Sequence, residues 1–232
     1  MSTPLRRDLG SVGLGLLLLL AWDASGADLP LSRLFGSADG FAWRHHWLFE
    51  RVLHDGAAAT LRWAFVLLGL NVLWPLPLIG ALPRSQRLRW WLMSLLCALL
   101  VSLIKHRSLI SCPWSLAEFG GAAHTLSHWS LDAWWGAGDG GPGGCFPAGH
   151  VSNAFGLVGG ALALREVSRR AARVWLAGVC GLGLVLGLAQ LVRGAHYASH
   201  SLWTAWICWG VSVLFWHATA PRPWRAVRLR PG

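Results

Sequence analysis

Residues 88–104 read LRWWLMSLLCALLVSLI, and residues 105–107 then read KHR. An apolar run of this length with one charge, Arg89, is close to what a helix needs to cross the hydrocarbon of a bilayer. The cations that follow at once mark a helix end at a membrane–water boundary. The same alternation of apolar run and basic punctuation recurs along the chain, with runs near 9–24, 57–80, 151–165, 174–192 and 202–218. This pattern predicts an all-α fold, a bundle of six transmembrane helices. The run 151–165 is short for a bilayer, so it either extends below residue 150 or lies partly inside the bundle.

Composition agrees. Charged residues make up 13% of the 232 and hydrophobic residues 54%, against roughly 25% charged in a soluble domain. The net charge of +10 could suit nucleic acid, but 19 of the 20 basic residues are Arg and many sit between apolar runs. That placement fits basic cytoplasmic loops better, and no nucleic-acid partner is expected. With the N-terminus inside, 13 of the 20 basic residues fall on inward segments and eight of the ten acidic residues fall outside or at outer span ends. The expected topology is N-in and C-in, with 25–56, 105–150 and 193–201 facing outward. The first run could instead be a cleaved signal; an uncleaved first span is the preferred reading. Three regions follow: N-terminal spans and an outward loop over 1–87, a core over 88–218 containing the outward loop 105–150, and a basic tail over 219–232.

The segment 105–150 includes Gly136 to Gly144, which cannot be a regular helix. Its tryptophans (Trp114, Trp129, Trp134, Trp135) suit a lid at the headgroup level. Cys97, Cys180 and Cys208 lie in apolar runs and read as packing residues. Cys112 and Cys145 lie in polar outward segments; they pair if that side is oxidising, and otherwise are two free thiols.

Three outward patches could carry chemistry: Lys105-His106-Arg107 running to Cys112-Pro113-Trp114, then Phe146-Pro147-Ala148-Gly149-His150, then Arg193-Gly194-Ala195-His196-Tyr197-Ala198-Ser199-His200. All lie at one predicted face. A phosphoryl group in transit spreads charge over its oxygens, and fixed cations such as Lys105 and Arg193 stabilise that charge. Backbone N–H groups where Ala148 and Gly149 open a helix add to it. A neutral imidazole can attack phosphorus, and a second can protonate the leaving oxygen. Each patch also has a plainer reading. Lys105 could simply snorkel, Pro-Ala-Gly-His could be helix-opening punctuation, and His196 and His200, at i and i+4, could be a metal pair. No Glu or Cys beside them completes a metal site, so no metal and no cofactor is expected. His45, His46, His54, His124, His128 and His217 read as interfacial or structural.

Taken in order, the patches resemble the three motifs of the type 2 phosphatidic acid phosphatase superfamily, which also includes vanadium haloperoxidases: Lys-x6-Arg-Pro, Pro-Ser-Gly-His and Ser-Arg-x5-His-x3-Asp. This chain has Lys105-x6-Cys112-Pro113, Pro147-Ala148-Gly149-His150 and Ala189-Gln190-x5-His196-x3-His200. The resemblance covers roughly residues 90–218. It implies His196 as nucleophile, His150 as general acid, Lys105 as phosphate ligand with the Ala148–Gly149 backbone, and His200 in the place of the Asp that orients the nucleophile. The third-motif Arg is Gln190 here, with Arg193 three residues on as its stand-in. The first-motif Arg is Cys112, with Arg107 as a weaker substitute. An acid such as Asp132, Asp139 or Glu118 could replace the missing carboxylate. A Cys112–Cys145 bridge would tie the first motif to the second.

The resemblance implies a metal-independent phosphatase of the bacterial inner membrane, with its site facing the periplasm. It would hydrolyse a lipid phosphate monoester or diphosphate through a phosphohistidine. Substrate partners would be lipid A, undecaprenyl diphosphate, phosphatidic acid or phosphatidylglycerol phosphate. Two alternatives are a lipid-to-lipid phosphotransferase and a non-catalytic lipid-phosphate-binding relative.

Overall fold

The computed structural model describes residues 3–76 and 81–220. Residues 221–232 of the expected basic tail, and 77–80 at the end of the apolar run 57–80, lie outside the described residues. The helices are α1 (Thr3–Ser25), α2 (Asp28–Arg33), α3 (Ala57–Leu73), α4 (Arg84–Arg107), α5 (Gly149–Phe155), α6 (Gly160–Leu164), α7 (Arg169–Val192) and α8 (Ala198–Ala218). A π-helical stretch, Leu48–Gly56, runs directly into α3. A small antiparallel hairpin pairs β1 (Gly36–Ser37) with β2 (Gly40–Phe41).

Among the described residues, four helices are long and apolar enough to cross a membrane: Thr3–Ser25, the continuous Leu48–Leu73, Arg84–Arg107 and Arg169–Val192. α8 is long enough, at 21 residues, but interleaves Trp, Ser, Thr and His with its apolar residues and is not among the four. The run 151–165 does not form one helix. It breaks into α5 and α6 around turn residues 156–159, and Leu162 and Ala163 are almost wholly inaccessible. This run lies inside the bundle. Close packing at the start of α6 requires glycine, since a Cβ at Gly160 would fall 2.2 Å from Cζ2 of Trp90.

The core is built on α4. Trp90, Met93, Cys97 and Val101 recur at helical spacing and are buried. They join Val151, Ala154 and Phe155 of α5, Leu186 of α7, and Cys208 and Val213 of α8 in one apolar cluster. At the end of the bundle away from the motif residues, Asp8 of α1 accepts two bonds from Arg165, at 2.8 and 2.6 Å, and one from His217 of α8 at 2.8 Å. A buried carboxylate is tolerable only when paired like this, and the pairing locks α1 and α8 to the end of α6.

The long loop between α4 and α5 is held in place by its own polar groups. Asp139 is buried and accepts from the Ser111 amide at 2.5 Å, the Ser111 hydroxyl at 2.8 Å and the Gly141 amide at 3.0 Å. Ile110, Ala133 and Phe146 pack with Leu19 and Trp203, while Trp129 and Trp135 stay exposed. Cys112 and Cys145 are joined by a disulfide across a separation of 33 residues.

Candidate functional site

His196 owes its position to the way α7 stops. Gly194 takes φ +70, its amide bonds the Leu191 carbonyl at 2.9 Å, and the Ala195 amide bonds the Gln190 carbonyl at 2.8 Å. This is a Schellman cap, and it requires the left-handed conformation that glycine adopts freely. Gly194 also leaves room for Phe41, since a Cβ there would fall 2.4 Å from Phe41 Cδ2. The chain turns back at once, so His196 points into the protein, 5% exposed, before α8 begins.

Lys105 stands on the last turn of α4 and lies against the start of α5. A Cβ at Gly149 would fall 3.1 Å from Lys105 Cδ and 3.4 Å from Nζ, so a small residue here is what lets the ammonium approach. Burial pushes His196 well below the usual imidazole range, and the charges of His200, Lys105 and His150 push it the same way. His196 is therefore neutral at physiological pH, with a lone pair available. Its Nδ1 lies 3.3 Å from Cys145 Sγ, which leaves Nε2 as the nitrogen free to react.

His150 opens α5. Its Nε2 donates to the Leu53 carbonyl at 3.0 Å, and its ring stacks on His54 with centroids 4.3 Å apart. Burial first, then the charges of His54 and Arg193, lower it to about 4. An arriving phosphate would favour its protonated form again. Ala148 is fully buried; its amide donates to the His200 carbonyl at 3.1 Å, so that N–H is engaged within the protein.

Arg193 is 4% exposed. Its Nε donates to the Arg44 carbonyl at 2.9 Å, Nη2 lies 3.4 Å from Glu50 Oε1, and Nη1 has no partner among the described residues. Gln190, at the position of the family's Arg, is buried with Nε2 likewise unpartnered among the described residues. Arg107 is exposed at the end of α4. His200 is 2% exposed, with its ring 5.8 Å from that of His196. The three acids considered as replacements for the motif carboxylate are engaged or directed elsewhere: Glu118 pairs with Arg33, Asp139 serves Ser111, and Asp132 is exposed beside Gly136.

Cys112 Sγ, Cys145 Sγ and a His196 ring nitrogen gather within 4.8 Å. The sulfurs are bonded to each other, which removes both thiolates as metal ligands.

The outward segment 25–56, with Arg44, His45, His46, Glu50 and Arg51, reads from sequence either as a surface connector or as a substrate-headgroup contact. In the structure it lies on the site: the Arg44 carbonyl and Glu50 meet Arg193, the Leu53 carbonyl and His54 meet His150, and Asp55 bonds His54 at 2.8 Å. The only signal in the sequence was the density of His, Arg and Glu in that stretch.

Three ordered motifs, on α4, at the start of α5 and at the α7–α8 turn, accompany a buried imidazole among helices apolar enough to cross a membrane. The profile of the PAP2 superfamily matches residues 88–224, and the chain belongs to that family. Membership points to phosphatase-type activity, and the four apolar helices accord with association with a membrane. No curated protein and no solved structure matches the chain.

Proposed function

We propose that the protein is an integral membrane phosphatase that hydrolyses a lipid phosphate monoester or diphosphate through a phosphohistidine. The observation that carries this reading is a buried His196 with the His200 ring 5.8 Å away, together with Lys105 lying against the start of the helix that carries His150. Lys105 and Arg193 hold the phosphate oxygens. His196 Nε2 attacks phosphorus, the P–O bond to the leaving group breaks, and His150 delivers the proton to the leaving oxygen. Water, deprotonated by the now neutral His150, then cleaves the N–P bond and releases phosphate. To act, His150 must exchange the Leu53 carbonyl for the substrate.

A lipid substrate is favoured by an apolar cleft of about 330 Å³ between α3, α4 and α5, lined by Leu61, Phe65, Leu95 and Leu157. It adjoins the helix that carries His150 and suits part of an acyl chain. The disulfide favours an oxidising compartment for the site, which in a Gram-negative cell is the periplasm. Six spans with both ends inside, the α5–α6 run lying partly within the bundle, remain the topology that the charge asymmetry supports.

The test is purified protein in detergent against lipid A, undecaprenyl diphosphate, phosphatidic acid and phosphatidylglycerol phosphate, with released phosphate measured. Release from at least one, persisting in EDTA, is expected. A doubly phosphorylated lipid without free phosphate would assign the protein to phosphotransfer instead. No product from any of them would reject catalysis on these substrates.

A further inference from the structure

Asp28 opens α2, and its Oδ1 accepts from the Ser199 amide and from Trp22 Nε1, each at 3.0 Å. Ser199 and His200 are consecutive in the first turn of α8. Asp28, Tyr197, Ser199 and His200 all line one cavity of about 200 Å³, behind His200. Tyr197, Ser199 and His200 are each more than nine-tenths buried. The Tyr197 hydroxyl, Ser199 Oγ and His200 Nδ1 have no hydrogen-bond partner among the described residues. Buried polar atoms of this kind are normally served by a charge or by ordered water.

A second carboxylate on the cavity wall, Asp23, uses Oδ2 to meet His128 Nε2 at 3.1 Å, Trp129 Nε1 at 3.2 Å and Trp203 Nε1 at 3.1 Å, whereas Asp28 is the one bonded to the backbone of the residue next to His200. Asp28 Oδ2 makes no hydrogen bond among the described residues. His200 thus shares a cavity wall with Asp28, and its ring lies 5.8 Å from the ring of His196.

We propose that Asp28 is a positioning residue for the nucleophile, supplying through His200 and the cavity the carboxylate charge that the third motif lacks at position 200. This rests on the reading of His196 as nucleophile. As the His196 Nε2–P bond forms and the P–O bond to the leaving group breaks, the His196 ring takes on positive charge. Lys105 on α4 and a protonated His150 on α5 oppose that charge. His128, Asp23 and Tyr197 border the same space. Asp28 offsets the opposition while remaining ionised; it neither gives nor takes a proton.

The experiment is a cycle of Asp28→Asn and His200→Asp with kcat, KM and pH profiles. Asp28→Asn should lower kcat at least tenfold with KM within twofold. It should also move the acidic limb of the profile to lower pH, because removing a negative charge makes an imidazole less basic. In the His200→Asp background, where a carboxylate stands directly at the motif position, Asp28→Asn should change kcat less than twofold. Equal losses in both backgrounds with an unmoved acidic limb would reduce Asp28 to a helix cap, and full activity of Asp28→Asn would remove it altogether. If the unaltered protein acts on no lipid phosphate, the phosphatase reading fails by itself. The pH dependence of diethyl pyrocarbonate modification of His196, followed by mass spectrometry, then decides on Asp28. A midpoint lowered by Asp28→Asn supports the role, and an unmoved midpoint overturns it.

Discussion

Sγ of Cys145 lies 3.3 Å from Nδ1 of His196, so the bridge to Cys112 also forms one wall of the pocket around the buried imidazole. The disulfide ties the segment after α4 to the segment before α5, and both to the turn that carries His196. Reduction, or Cys112→Ser, should destabilise the protein by about 2–4 kcal/mol, the usual range for a bridge. Phosphate release should fall in parallel. A melting curve and an activity assay with and without reductant check this, and unchanged activity after verified reduction would contradict it.

Replacing His196 by Ala should lower phosphate release by at least about a thousandfold, since loss of a covalent nucleophile leaves only residual catalysis from binding groups. Phosphate-release kinetics and the disappearance of an acid-labile phosphoprotein are the two readouts.

Arg193→Ala should remove roughly 2 kcal/mol of transition-state stabilisation, or about thirtyfold in kcat/KM. Arg193→Lys should recover only part, because a point charge does not reproduce a guanidinium held at Nε by the Arg44 carbonyl.

Glu50 Oε1 lies 3.4 Å from Arg193 Nη2, and under the proposal that Arg193 holds the phosphate it competes with the substrate for that cation. Glu50→Gln should therefore lower KM, by up to about fivefold given the modest strength of such a pair. Inhibition by orthovanadate should strengthen in step. A raised KM would show instead that Glu50 helps to hold Arg193 in place.

His150, held at about 4, and His196, held well below the usual imidazole range by burial, bind fewer protons folded than unfolded. The unfolded chain takes up those protons as pH falls through about 6.5. Stability is therefore full above about pH 6.5 and declines towards pH 4. The melting temperature should drop by several degrees across that window, and His150→Gln should flatten part of the slope.

Much of the fold was readable because its signals are local. The apolar run ending in Lys105 became α4, and the runs 174–192 and 202–218 became most of α7 and α8. The run 151–165 was legible as apolar but not as two short helices, because hydropathy does not register the turn at 156–159 or distinguish lipid from protein as the apolar surroundings. The motif residues were readable from order and spacing. Glu50, His54 and Asp28 were not, since nothing near them in the chain marks them as neighbours of Arg193, His150 or His200.

Sequence alone determined the all-helical, membrane-suited character and the family, because a bilayer demands long apolar helices and the motifs keep fixed spacings along the chain. Tertiary structure alone decided which groups gather near His196 and His150. Contacts such as Leu53 with His150, 97 residues apart, and Asp28 with Ser199, 171 apart, depend on how helices pack. No local pattern encodes that packing.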